Sequence, residues 1–170
     1  MTRDQRVVAT GAICGVLTML AAVSALYWLW PTPAGLGGMA ERIGYALQGL
    51  VFAALPLLAM VVSVGNSRVL GEAIDPTLGK ESRAIDIDRR ALINTVEQFA
   101  LLSAGLLALA PNLSAGEMRI VPAAVTVFVV ARAAFWIGYR IHPLYRAAGM
   151  SATAYLNVGL IGWAIWWIVM

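Results

Sequence analysis

The sequence predicts an all-α integral membrane protein with five spans. Three observations predict it. Of 170 residues, 61% are hydrophobic and only 12% are charged, about half the charge of a soluble domain. Five apolar stretches reach the roughly 20 residues needed to cross a bilayer. No alternating barrel pattern runs through them, and a backbone in lipid must then satisfy itself as helix.

Composition also narrows the function. Low charge with high apolar content excludes a disordered chain. Twelve basic residues against nine acidic ones give a net charge of +3, which is no nucleic-acid footprint. The basic excess orients the chain in a membrane instead. Cys14 is the only cysteine and His142 the only histidine. An internal disulfide, a cysteine metal cluster and a His-rich metal or haem site within one chain are excluded.

The first span is Val7–Trp30, preceded by Arg3 and Arg6. The basic start and Val23-Ser24-Ala25 fit a signal peptide, but the apolar run continues through Leu29, so a retained helix is expected. Gly11-x-x-x-Gly15 within it marks a close helix contact, with Cys14 as a small packing residue. Pro31, Pro33, Gly35, Gly37 and Gly38 make a short turn. The second span is Ile43–Val64, kinked at Pro56. Residues 65–90 form the one sizeable aqueous segment, with five basic and five acidic side chains. The remaining spans are Ala91–Ala110, Ile120–Tyr139 and Ala152–Met170.

Lysine and arginine set the orientation. One side carries nine and the other two, with Arg132 left inside a helix. The N-terminus is expected in the cytoplasm and the C-terminus on the far side. Trp28, Trp30, Trp163, Trp166 and Trp167 fit an interfacial belt on that far side. An inner, cytoplasmic membrane is the expected location.

Polar residues within spans carry the functional signal, because lipid penalises them. Arg90, Asn94 and Glu97 share one face of the third helix by their spacing of four and three. Arg132, Phe135 and Tyr139 share a face of the fourth. Arg132 and Glu97 fall at similar depth on antiparallel neighbours, so an intramembrane pair is expected, within or between subunits. A mere register lock explains that pair, but not the whole cluster with Arg68 and Arg146. Arginine forks bind carboxylates and Glu97 suits an ammonium, so the set fits a small anionic ligand. The adjoining lipid admits a lipophilic second substrate.

The pattern Arg90-x-x-x-Asn94-x-x-Glu97, then Arg132-x-x-Phe135-x-x-x-Tyr139 and Arg146, resembles the MAPEG superfamily, the membrane-associated proteins of eicosanoid and glutathione metabolism. The resemblance covers residues 43–170 and implies a four-helix bundle subunit in a homotrimer. Residues 1–42 would then add an extra N-terminal helix and outer loop. It implies glutathione as cosubstrate, held by Arg90, Asn94 and Glu97, with Tyr139 from a neighbouring subunit. Arg68 is a looser match to a basic residue of the family. Arg146 would lie nearest the thiol and stabilise its thiolate. Conjugation to a lipophilic electrophile, or reduction of a lipid hydroperoxide, would follow. Phe135, Leu92, Ile93 and Ala147 are apolar where members place polar ligands, which thins the shell and makes prostaglandin isomerase chemistry doubtful. His142 and Tyr145 are expected to anchor an interface or cap a helix.

Two other readings compete. One is a non-catalytic membrane scaffold, or a protein binding lipid headgroups through Arg68, Arg90 and Arg146. The other is a small carrier using Arg132 and Glu97, which the lack of paired broken helices opposes.

Overall fold

Helix α1, Arg3–Leu29, starts where Thr2 caps it. The Thr2 hydroxyl accepts from the Gln5 N–H at 3.3 Å, and the Gln5 side chain accepts from the Thr2 N–H at 2.9 Å. This reciprocal capping box starts the helix one turn before the apolar run. The computed structural model describes residues 1–71 and 82–170. The remaining helices are α2 (Met39–Ala53), α3 (Leu55–Val69), α4 (Arg83–Leu109), α5 (Ile120–Ile141) and α6 (Ala147–Val169), with a 3-10 turn at Glu117–Arg119.

The expected second span is α2 and α3 in series, and the expected kink is a break at Ala54. Pro56 has no N–H for the carbonyl four residues back, so the ladder is interrupted there. Helix α4 begins eight residues before Ala91, because Ser82 caps it by accepting from the Ile85 N–H at 3.3 Å. Residues 65–69 and 83–90 of the expected aqueous segment are therefore helical. Its Glu72, Asp75, Lys80 and Glu81 lie outside the described residues. Five helical stretches are long and apolar enough to cross a membrane, with α2 and α3 counted as one of 31 residues. The chain is an integral membrane protein.

Helix α5 is the centre of the bundle and packs on α1, α2, α4 and α6. Its Phe128 is fully buried among Leu102, Leu106, Leu109, Leu156 and Leu160. Helix α1 lies on α6 and α5. A Cβ at Gly15 would stand 2.2 Å from the Ala148 carbonyl oxygen, and one at Gly11 would stand 3.2 Å from the Ala147 Cβ. The G-x-x-x-G is thus a close helix contact, as expected. Gly149 does the same between α6 and α5, where a Cβ would meet the Ala131 oxygen at 2.5 Å. Cys14 corrects the expectation of a packing residue: it is exposed, on the side of α1 next to the glycine seam. Trp163 packs against the core, while Trp28, Trp166 and Trp167 are exposed.

Candidate functional site

Three helices converge at the end of the bundle that holds most of the basic residues. Arg90 and Asn94 lie one turn apart on α4, Phe135 and Tyr139 one turn apart on α5. Arg146 and Met150 repeat the spacing at the start of α6. Residues four apart share a helix face, so each pair faces the same space. Together the six line a groove of about 330 Å³. The ring of Tyr139 packs 5.9 Å from that of Phe135, and the Arg146 guanidinium stands 4.7 Å over it. Arg146 immediately precedes α6, whose N-terminal end carries partial positive charge. Guanidinium and helix end both favour an anion here.

Of the residues singled out in the sequence, Arg90, Asn94, Tyr139 and Arg146 are brought together within one chain. Tyr139 of α5 thus stands beside Arg90 and Asn94 of the same chain. Arg90 is not a bare cation: its Nε donates to Asp86 at 2.8 Å, and Arg89 donates to the same carboxylate at 3.1 Å. Arg68 lies in the last turn of α3 and does not line this groove. Nor do His142 and Tyr145. His142 ends α5 and its Nδ1 accepts from the Leu144 N–H at 3.3 Å, with the Tyr145 ring 5.2 Å away.

Arg132 and Glu97 do not pair directly within the chain, and Asn94 stands between them. Arg132 donates to Asn94 Oδ1 at 2.9 Å, and Asn94 Nδ2 donates to Glu97 Oε2 at 3.2 Å. The reason is rotational. The buried stripe of α4 is Ala91, Thr95, Gln98 and Leu102; Asn94 sits at its edge, and Glu97 faces outward. Arg132 is fully buried. It also donates to Thr95 Oγ1 at 3.4 Å and the Gly149 carbonyl at 3.5 Å, and its guanidinium lies 4.2 Å from the centre of the Phe135 ring. Its Nε has no partner among the described residues. Arg132 is therefore the floor under Asn94 and Phe135, with neutral groups around it. By accepting from Arg132, the Asn94 oxygen is committed inward and its NH₂ is turned outward.

Two further polar groupings were not anticipated. Asp88 is 1% exposed and ties three helices together. It accepts from Ser63 Oγ of α3 at 3.0 Å, Trp136 Nε1 at 2.8 Å and Arg140 Nε at 2.7 Å, and Arg140 makes a second bond to it through Nη2. Asn157 of α6 donates to the backbone and side-chain oxygens of Gln98 at 3.0 and 2.9 Å. The sequence signal for both was present: Asp88 and Gln98 fall on the same stripe of α4 as Thr95, and Asn157 follows Thr153 by one turn on α6.

Comparison with known proteins places this geometry. No solved structure matches the chain. It is 23% identical over 130 residues to transmembrane protein 79 of Mus musculus, and equally to that of Bos taurus. The match covers 76% of this chain and 33% of each relative, so the chain spans about a third of the length of the curated relatives it matches. Helix α1 lies outside the family match, which runs over residues 44–166, from α2 through most of α6 and across the whole groove. The chain belongs to the MAPEG family.

Proposed function

We propose that the chain is a membrane glutathione transferase or peroxidase. One observation carries the reading: a MAPEG chain whose Arg90, Asn94, Tyr139 and Arg146 line a single groove. Glutathione brings two carboxylates, an ammonium and a thiol. Arg90 and the outward NH₂ of Asn94 take a carboxylate. Glu97, hydrogen-bonded to Asn94, takes the ammonium. Arg146, with the end of α6 behind it, holds the thiol as thiolate. A free thiol has a pKa near 8.5, and a nearby guanidinium raises its ionised fraction at neutral pH. The thiolate sulfur attacks an electrophilic carbon of a lipophilic substrate, and the leaving group departs with the bonding pair. Alternatively it attacks the outer oxygen of a lipid hydroperoxide. The O–O bond breaks, the alkoxide takes a proton, and a second glutathione resolves the sulfenate to a disulfide.

The same reading includes a homotrimer. Ile93, Val96 and Leu101 are exposed on α4 beside Glu97, and a carboxylate in a span needs cover. Residues 43–170 form the four-helix unit and 1–42 an added helix and loop. The basic end faces the cytoplasm of an inner membrane, where glutathione is plentiful, and the C-terminus lies on the other side.

A second reading, a non-catalytic scaffold or lipid-headgroup binder on the same fold, is favoured by two features. Arg90 is engaged by Asp86, and Phe135 walls the groove with an apolar ring. Glutathione binding to the detergent-purified protein separates the two readings, followed by thiolate absorbance in the ultraviolet as pH is varied. The enzyme reading expects a saturable signal near neutral pH that is lost in Arg146→Ala. Absence of binding at millimolar glutathione sinks it and leaves the scaffold.

A further inference from the structure

A second groove, of about 460 Å³, lies toward the opposite end of the bundle between α2, α5 and the end of α1. Trp30, Tyr45, Gln48, Phe52, Thr126 and Val130 are among its lining. Its floor is set at Gly49, where a Cβ would come within 2.7 Å of Val121 Cγ1. Glycine lets α2 touch α5 there, and the side chains on either side stand up as walls. Its deep end reaches Phe52 and Leu55, which flank the helix break at Ala54. From Val121 to Val130 on α5 the groove runs ~13 Å at ~1.5 Å per residue. It is separate from the site above, whose residues on α5 begin at Phe135.

Its polarity is the informative feature. Gln48 is exposed among Leu47, Val51 and Phe52, all exposed on the same span. Neither the Gln48 amide nor the Tyr45 hydroxyl has a hydrogen-bond partner among the described residues. Such groups are costly against hydrocarbon until something pairs with them. They lie one turn apart at the shallow end, beneath Trp30, while the deep end is aliphatic and aromatic. No charged side chain lines the groove, so a phosphate or ammonium would find no counter-charge.

We infer that this groove binds a neutral single-chain lipid, its hydroxyl or ester between Tyr45 and Gln48 and its tail running to Leu55 and Val130. Amide and phenol supply both donors and an acceptor, which suits a hydroxyl or ester group. The wall residue Trp30 caps the end of α1 and lies outside the family match, so the added N-terminal segment helps to build the site.

The test uses the full chain in phosphatidylcholine vesicles and a monoacylglycerol with a photoreactive diazirine near the tail end. Label is expected on the peptides holding Phe52–Leu55 and Val129–Val130. Excess unlabelled monoacylglycerol should displace it, and dodecane should not. Gln48→Leu with Tyr45→Phe should weaken competition by about ten-fold, the order expected for a lost hydrogen bond. Val130→Trp should fill the groove from its exposed side and abolish the label. Thermal unfolding of each variant should stay close to that of the parent protein. Label spread over α1, α3 and α6 according to exposure would overturn the inference, since that is ordinary annular lipid. Equal displacement by dodecane would overturn the headgroup assignment. A ready Gln48→Cys disulfide between copies would show that a second subunit covers the amide instead.

Discussion

Arg132 offers a test in which two neighbouring substitutions should have unequal effects. The buried guanidinium makes one good hydrogen bond, 2.9 Å to Asn94 Oδ1, and two long ones at 3.4 and 3.5 Å. A hydrogen bond to a charged group contributes about 1.5–3 kcal/mol. Asn94→Ala removes it and strands the charge in the core, so it should cost about 2 kcal/mol. For a chain of this length that is roughly a 4–8 °C fall in Tm. Arg132→Met should do much less. It removes a buried charge that has no direct carboxylate partner, together with its desolvation penalty, and Met fills a similar volume. The Asn94 oxygen it leaves behind is only half-buried and can be hydrated. We expect a change within about 1 kcal/mol for Arg132→Met. The double variant should resemble Arg132→Met alone, giving a coupling of at least ~1 kcal/mol. Thermal unfolding in one detergent, followed by tryptophan fluorescence, measures all three. Equal losses from the two single variants, or strict additivity in the double, would refute this account of the buried charge.

Other consequences are simpler. Asp88→Ala should cost about 2–3 kcal/mol, since Trp136 Nε1 and the Arg140 fork lose a buried acceptor; a shift in tryptophan emission would report it locally, and an unchanged Tm would contradict it. Gly15→Leu should separate α1 from α6, because even its Cβ has no room beside the Ala148 carbonyl; proteolysis within 31–38 should then become faster, and an unaltered cleavage rate would argue against the seam. Arg42→Ala should loosen the far-end loops, because its guanidinium serves the carbonyls of Leu36, Gly37, Ala110 and Pro111 at 3.1–3.4 Å; hydrogen exchange at 110–113 should rise.

Hydropathy made the five spans legible because the membrane imposes length and apolarity on each segment separately. Pro56 made the interruption of the second span legible for an equally local reason. Span ends were less so. Thr2 and Ser82 start their helices in polar sequence, where a hydropathy criterion sees only loop. That Arg90, Asn94, Tyr139 and Arg146 share one groove was legible from spacing and resemblance, since the helical period puts Arg90 and Asn94 on one face of α4 and Phe135 and Tyr139 on one face of α5. The partner of Arg132 was not. Depth along a helix follows from counting residues, but choosing between Asn94 and Glu97 needs the rotation of α4 against α5. That rotation is set by the whole interface, Thr95 and Gln98 included. Asp88 and Arg140 look like ordinary flanking charges until α3 supplies Ser63 and α5 supplies Trp136 to close the network.

The balance of charge around the groove gives the last prediction. Asp86 answers Arg90, and Glu97 takes its hydrogen bond from the neutral Asn94. Neither Arg132 nor Arg146 has a direct carboxylate partner among the described residues. Two guanidiniums, one under the floor and one at the rim, therefore leave the groove positive. Arg132 is buried and fixed, so its field is constant and screened little. Arg146 is exposed and adjustable. Opposite charges ~4 Å apart gain about 1 kcal/mol in water and about 4 kcal/mol in a protein-like surrounding. An anion meeting Arg146 at a half-wetted rim gains an intermediate amount, enough for about ten-fold more thiolate at neutral pH. Arg146→Lys keeps the charge but loses the planar fork set over Tyr139, so it should retain more of the thiolate signal than Arg146→Ala, which should keep only about a tenth. Raising ionic strength should weaken the signal in the parent protein, because the rim charge is open to salt. A signal indifferent both to salt and to Arg146 would place the thiol away from this rim.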